Sequence, residues 1–249
     1  MANDRTILRV TGADRHGFLQ GLITNDIAGA AQGLIYAAFL SPQGKYLADF
    51  FIFERDAALF VDVKSDHAAA LERRLSMYKL RADVQIDHAD LTVQRGLGPQ
   101  PKGALPDPRH PSLGWRCYDP GTPNLGEAID WDAVRVAACI PETGIELIHD
   151  DTYILEAGFE ALHGVDFRKG CYVGQEVTAR MKHKTTLRKG LARVALSAPA
   201  LPGTEILADG KPVGQLHTVS GLEAIAYLRF DRTDQPMTAG GVDVTRLTT

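Results

Sequence analysis

Lys169-Gly170-Cys171-Tyr172-Val173-Gly174-Gln175-Glu176 sets a cysteine between two glycines, beside a lysine, where an amphipathic segment begins. Glycine lets the backbone turn tightly and approach a ligand. A thiol near a lysine and a helix N-terminus is expected to become more acidic, because both favour the thiolate. Cys171 is therefore a candidate reactive or redox thiol. The competing reading is a small residue in a tight turn, where free cysteine is inert. A nucleophilic Cys–His pair would need a positioned base, and His163 and His183 are nearby in sequence. From Arg168 to Lys189 the chain stays basic, with Arg168, Lys169, Arg180, Lys182, Lys184, Arg188, Lys189 and His183 against the single acid Glu176.

Working outward, residues 6–10 read as a short strand. Asp14 can cap a segment whose Phe18, Leu19, Leu22 and Ile23 recur at helical spacing. Residues 34–40 form an apolar strand, Ser41-Pro42-Gln43-Gly44 is turn chemistry, and residues 46–53 return as a strand. A third strand, 57–63, leads to a helix capped by Ser65 or Asp66 and running through Leu71, Leu75 and Tyr78. Val84, Ile86, Leu91 and Val93 carry strand signal. This order predicts helices packed on a mostly antiparallel sheet. Residues 99–111 read as a loop, 115–118 as a strand, and 130–139 as a helix ending before Pro141. Trp115 and Trp131 are assigned to core or interface. From Leu191 short strands alternate with Gly and Pro turns, which suggests a small barrel or sandwich.

The octet resembles the signature of the YgfZ-type folate-binding proteins. These are relatives of the aminomethyltransferase (T-protein) of the glycine cleavage system, and their mitochondrial members assist iron–sulfur cluster assembly. Asp14-Arg15-His16-Gly17-Phe18-Leu19-Gln20-Gly21-Leu22-Ile23-Thr24-Asn25-Asp26 is similar to that family's N-terminal motif. Phe39-Leu40-Ser41-Pro42-Gln43-Gly44-Lys45, with Asp49-Phe50-Phe51, is similar to its hairpin motif. Tyr78-Lys79-Leu80-Arg81-Ala82-Asp83-Val84 and Leu187-Arg188-Lys189 also fit, so the matches follow family order along most of the chain. The resemblance implies an α+β fold, with a folate-binding region over 1–189 and a C-terminal β-barrel over 190–249.

The same resemblance proposes site residues. Leu155-Glu156-Ala157-Gly158 is similar to the T-protein segment whose glutamate recognises the pterin ring. A pterin offers adjacent N3–H and 2-amino donors, and one carboxylate can accept both. T-protein relatives carry an aspartate pair after the hairpin turn. Here the pair is Ala48-Asp49, so Asp49 is the remaining catalytic candidate and aminomethyl transfer is not expected. Asn25 and Asp26 line the pocket or simply turn the chain. Tyr78 stacks on the pterin or covers core. Lys169, Tyr172, Gln175 and Arg180 complete the expected cofactor-binding set. The basic run is a solvated face, a seat for the polyglutamate tail of folate, or a dock for an acidic partner or RNA. The implied function is a tetrahydrofolate-binding accessory protein for assembly or repair of iron–sulfur enzymes, tRNA-modifying ones among them. The alternatives are a folate-dependent one-carbon transferase and a non-catalytic scaffold.

Bulk composition agrees with an ordinary globular protein. The 249 residues are 45% hydrophobic and 23% charged, with net charge -4. There is no global polycation for nucleic acid, and direct tRNA binding is not expected. Cys117, Cys139 and Cys171 form no C-x-x-C pair, so neither a disulfide framework nor a metal site is expected. No G-x-G-x-x-G or P-loop supports a nucleotide cofactor. The N-terminus has neither an apolar signal core nor transit-peptide character, and no run suits a membrane span. A soluble cytoplasmic location is therefore expected.

Overall fold

The computed structural model describes residues 4–120, 128–184 and 186–247. Residues 1–3 of the N-terminal reading and the side chain of Lys184 lie outside what it describes. By contacts the chain forms two compact units: the described residues of 1–128 with 160–177, and those of 129–159 with 178–249.

The first unit is built on a five-stranded sheet. Its elements are β1 (Arg5–Thr11), α1 (Arg15–Gln20), β2 (Ile35–Leu40), β3 (Tyr46–Arg55), β4 (Ala58–Lys64), α2 (Ser65–Lys79) and β5 (Gln85–His88). The strand order is β2-β3-β4-β1-β5, antiparallel throughout. A second sheet joins β6 (Thr92–Gly96), β7 (Leu105–Pro106) and β8 (Trp115–Asp119) in the order β6-β8-β7. β3 shows almost no polar alternation because both of its faces are buried. Ala48, Phe50 and Ile52 share a core with Leu19 of α1 and with Ala68, Leu71 and Leu75 of α2. Burying each of those leucines is worth ~1.5–3 kcal/mol. Asp49, Phe51 and Phe53 face the other way, where Tyr118 and Arg116 of β8 meet Phe53 and Phe51.

The expected caps are placed differently. Asp14 makes no side-chain cap on α1. Its carboxylate accepts from Asp83 N at 2.8 Å, clasping the segment after α2. Ser65 is the first residue of α2 and shares a hydrogen bond with Thr6 at 2.9 Å rather than capping the helix.

The second unit contains α3 (Trp131–Ala137), capped by Asp130 through Ala133 N at 3.0 Å. Helix α4 (Gln175–Lys184) contains the point where the chain changes unit. Then β9 (Lys189–Leu196), β10 (Glu205–Ala208), β11 (Lys211–Ser220), β12 (Glu223–Arg229), β13 (Met237–Ala239) and β14 (Val242–Arg246) close into a barrel. Closure leaves no free sheet edge. Strict alternation along β9 turns Ala192, Val194 and Leu196 into the interior with Ile206, Leu216 and Leu228.

The contacts thus divide the chain at three points rather than once at 189/190. Residues 129–159 go with the barrel because polar side chains bind them there. Arg135 donates to Glu146 Oε2 at 3.1 Å and to Thr218 Oγ1 at 2.8 Å. Thr218 Oγ1 in turn donates to Glu146 Oε1 at 2.5 Å.

Candidate functional site

Glu156 sits in a run of turns, not in a helix. Only 9% of it is exposed. Leu191 N donates to the Glu156 carbonyl at 2.8 Å, fixing the turn on the first residues of β9. Gly190 permits this approach, since a Cβ there would lie 2.7 Å from the same carbonyl oxygen. The carboxylate is held from one side. Tyr227 Oη donates to Oε2 at 2.6 Å, and Lys189 Nζ stands 3.8 Å from Oε2 and 5.6 Å from the centre of the Tyr227 ring. Burial, and then the hydrogen bond to Glu156, raise the Tyr227 phenol far above its ordinary pKa, so it stays a donor. Both partners engage Oε2. A carboxylate offers about four lone-pair sites, so Oε1 and part of Oε2 remain to accept donors from a ligand.

In the first unit, the octet is tied to the hairpin turn by two glycines. Gly174 has φ +82°, and a Cβ there would lie 2.5 Å from Ser41 O and 3.1 Å from the Cα of Gly44. Gly44 itself has φ +77°, and its Cβ would fall 2.8 Å from Val177 Cβ. The turn residues and the octet therefore pack backbone to backbone.

Cys171 is exposed, whereas Cys117 is buried and Cys139 half-buried. Burial, helped by Asp119, pushes the Cys117 thiol up to about 11, and burial with Glu146 does the same to Cys139. The two features expected to act on Cys171 are placed elsewhere. Helix α4 begins at Gln175, beyond the cysteine. Lys169 is 7% exposed and spends its ammonium on the end of α1, donating to Gln20 O at 2.6 Å and to Ile23 O at 2.5 Å. It also stands 5.0 Å from the Tyr172 ring centre. Burial lowers its pKa to about 8, against the pull of Asp26 and Asp166. Lys169 is thus a buried strut, and buried Tyr172 packs with it.

The remaining predicted residues separate. Asn25 donates to Tyr36 O at 2.8 Å and to His163 O at 2.7 Å, latching 163–165 to β2. It borders an open cleft of about 440 Å³ with His163, Asp166, Phe167 and Arg168. Asp26 caps a short 3-10 turn through Ala28 N at 3.0 Å and accepts from Gln20 Nε2. Tyr78 is 40% exposed and meets Phe39 edge-on. Gln175 opens α4 and Arg180 lies exposed along it.

Asp49 belongs to a buried network. Tyr36 donates to Oδ2 at 2.9 Å and Tyr46 to Oδ1 at 2.7 Å. On the same face Arg116 bridges Asp62 at 3.0 Å and Asp107 at 3.1 Å, while Arg5 pairs with Asp62 and Arg109 with Asp107. The guanidiniums of Arg116 and Arg109 hold the Asp107 carboxyl well below the usual range despite its burial. Three arginines thus balance three carboxyl groups around Phe51, with Arg116 only 3.8 Å from that ring centre. Sequence reasoning passed over this network, because its partners come from strands far apart in the chain. Tyr227 was passed over as well. Its only signal in the sequence is a single hydroxyl in the apolar run Ala224-Ile225-Ala226-Tyr227-Leu228.

Among the described residues no group of three or more His, Cys, Asp or Glu converges to hold a metal ion. No described helix is long and apolar enough to cross a membrane.

Residues 188–248 match the model of the CAF17 C-terminal β-barrel domain. The human mitochondrial iron–sulfur cluster assembly factor IBA57 is 30% identical, over 94% of this chain and 78% of its own length. Its mouse counterpart is 32% identical with the same coverage. The IBA57 homologue of Neurospora crassa is 33% identical over 88% of this chain, which spans 57% of that longer protein. All three are named as mitochondrial, which overturns the expectation of a cytoplasmic location. The aminomethyltransferase T of the glycine cleavage system from Bartonella henselae superposes with a TM-score of 0.79. It covers 99% of this chain and 83% of its own at 14% identity, which shows a shared fold.

Proposed function

The chain belongs to the family of IBA57 iron–sulfur cluster assembly factors, and on that premise we propose that it is a tetrahydrofolate-binding accessory factor for the assembly or repair of iron–sulfur enzymes. The assembly role is carried over from the names of the relatives. The folate and the YgfZ-type assignment rest on the resemblance of the motifs, and radical tRNA-modifying enzymes among the clients come from the same source.

The observation that carries folate is the carboxylate of Glu156. It is nearly buried, it is steadied through Oε2 by Tyr227 and Lys189, and Oε1 is left to accept. That acceptor set suits the paired N–H donors of a pterin. Exposed cations of the run after Cys171, Arg180 and Lys189 among them, suit the carboxylates of a folate tail. Bound folate would supply a one-carbon carrier or a bound ligand that stabilises the folded state. Cys171 supplies the exposed thiol.

Calorimetric titration with tetrahydrofolate tests the ligand. Glu156→Ala removes a charge-assisted pair worth ~1.5–3 kcal/mol per bond, so affinity should fall roughly 100-fold or more. An unchanged isotherm would remove the pterin from Glu156 and favour a scaffold. Deletion of the gene should lower the activity of iron–sulfur enzymes in the cell, and Cys171→Ser should restore it poorly.

A further inference from the structure

The exposed end of α2 has no part in the site above. Met77 is 71% exposed and Leu80 89% exposed. Arg73 and Arg74 precede Met77 by four and three residues, so they share its face of the helix, and both are exposed, as is Arg81. A basic-rimmed apolar knob thus stands on a chain whose net charge is -4. Nearby acids are already engaged: Glu72 with His88 at 3.1 Å, and the Asp83 carboxylate with Ala13 N at 3.2 Å.

The knob is also held in a costly conformation. Leu80 ends α2 with φ +45° and ψ -105°, in the left-handed half of the map. A non-glycine residue there is unfavourable and persists only when its surroundings enforce it. The surroundings do so on both sides. Upstream, Leu71 and Leu75 lock α2 into the core. Downstream, Ala82 N returns to Lys79 O at 2.8 Å, and Asp83 is clasped by Asp14 through Asp83 N at 2.8 Å and Asp14 N at 3.1 Å. A large apolar side chain is therefore presented to solvent on a rigid, strained turn.

We propose that this end of α2 is a docking surface for a protein partner that presents carboxylates around an apolar pocket. Arginine and methionine are enriched at protein interfaces, and arginine is a frequent hot-spot residue. The planar guanidinium pairs with carboxylates in two parallel bonds. A rigid anchor loses little freedom on docking, which favours affinity. The partner is a protein rather than an anionic membrane because the exposed apolar residues at this helix end are few, Met77, Tyr78 and Leu80. The apolar stripe of α2 that could lie in a bilayer, Ala68, Leu71 and Leu75, is already in the core.

A photo-crosslinking amino acid placed at position 77 or 80 of the full chain, in cells, tests this. Any crosslinked protein is identified, purified and titrated against the wild-type chain. The crosslink should be to a protein whose contacting segment is acidic. Binding should weaken with salt and fall at least tenfold with Leu80→Asp and with Arg73→Glu/Arg74→Glu. Leu80→Gly, which relieves the backbone, should retain or raise the thermal midpoint while weakening the same complex, a split that a purely structural role would not give. Crosslinks to lipid, to nucleic acid or to nothing, or a purified partner whose affinity ignores these variants, would overturn it. A loss of tetrahydrofolate binding in Glu156→Ala would leave this result unaffected.

Discussion

Lys169→Met tests how the octet is held. Wild-type Lys169 is 7% exposed, and its ammonium donates to Gln20 O at the end of α1 and to Ile23 O just beyond it. Burial brings its pKa down from 10.5 to about 8. Between these two values the unfolded chain binds a proton here that the folded chain has released. Stability contributed by this site therefore rises with pH across that window. Below about pH 8 both states are charged, and the folded state carries the full cost of the buried cation. At ~1.4 kcal/mol per pH unit the whole window amounts to about 3 kcal/mol. Methionine keeps the length and apolar stem but carries no charge. Every other titrating group is common to both proteins, so the difference between them isolates Lys169. Urea unfolding at intervals from about pH 7.5 to about pH 10.5 should show wild type gaining ~2–3 kcal/mol relative to the variant. A difference that stays flat with pH would refute the buried-cation account.

Arg135→Met should cost ~3–5 kcal/mol in urea unfolding, because it leaves the Glu146 carboxylate buried without its cation. Tyr227→Phe deletes the donor 2.6 Å from Glu156 and should cost ~1.5–3 kcal/mol in the same assay. Iodoacetamide labelling read by peptide mass spectrometry at neutral pH should modify Cys171 first, since it is exposed while the thiols of Cys117 and Cys139 are pushed up to about 11. Gly174→Ala sets a Cβ 2.5 Å from Ser41 O and should lower the thermal midpoint by the equivalent of ~1–3 kcal/mol, whereas Gly170→Ala, with nothing within 4 Å, should not.

Local pattern carried much of the fold. The Ser41-Pro42-Gln43-Gly44 turn, the apolar strands around it and the alternation of β9 all follow from turn chemistry and side-chain period, and each lies near its expected place. Caps do not follow local pattern here, because Asp14 and Ser65 have tertiary partners, Asp83 and Thr6, that outcompete the helix ends. The grouping of 129–159 with the barrel was hidden for a related reason. It depends on Arg135, Glu146 and Glu156 meeting Thr218 and Tyr227 some 70 or more residues downstream. The role of Lys169 was likewise invisible. Its proximity to Cys171 in sequence suggested an electrostatic partner, whereas its long side chain reaches carbonyls almost 150 residues upstream.

Two carboxylates singled out by one resemblance are both nearly buried and both accept from phenols, but they differ in how many of their oxygens are engaged. A general acid or base must come within hydrogen-bond reach of the proton it moves. Both oxygens of Asp49 already accept from phenols, Tyr46 at 2.7 Å and Tyr36 at 2.9 Å, inside a core where arginines and carboxyl groups balance. Each oxygen keeps lone pairs beyond those bonds, but Asp49 is engaged on both sides inside that core. Glu156 is engaged on one side, since its partners gather at Oε2 and leave Oε1 to accept. The chain thus holds one of these carboxylates with acceptor capacity on one side and has built the other into its core. Under the function proposed above, such a pair of carboxylates favours binding over turnover.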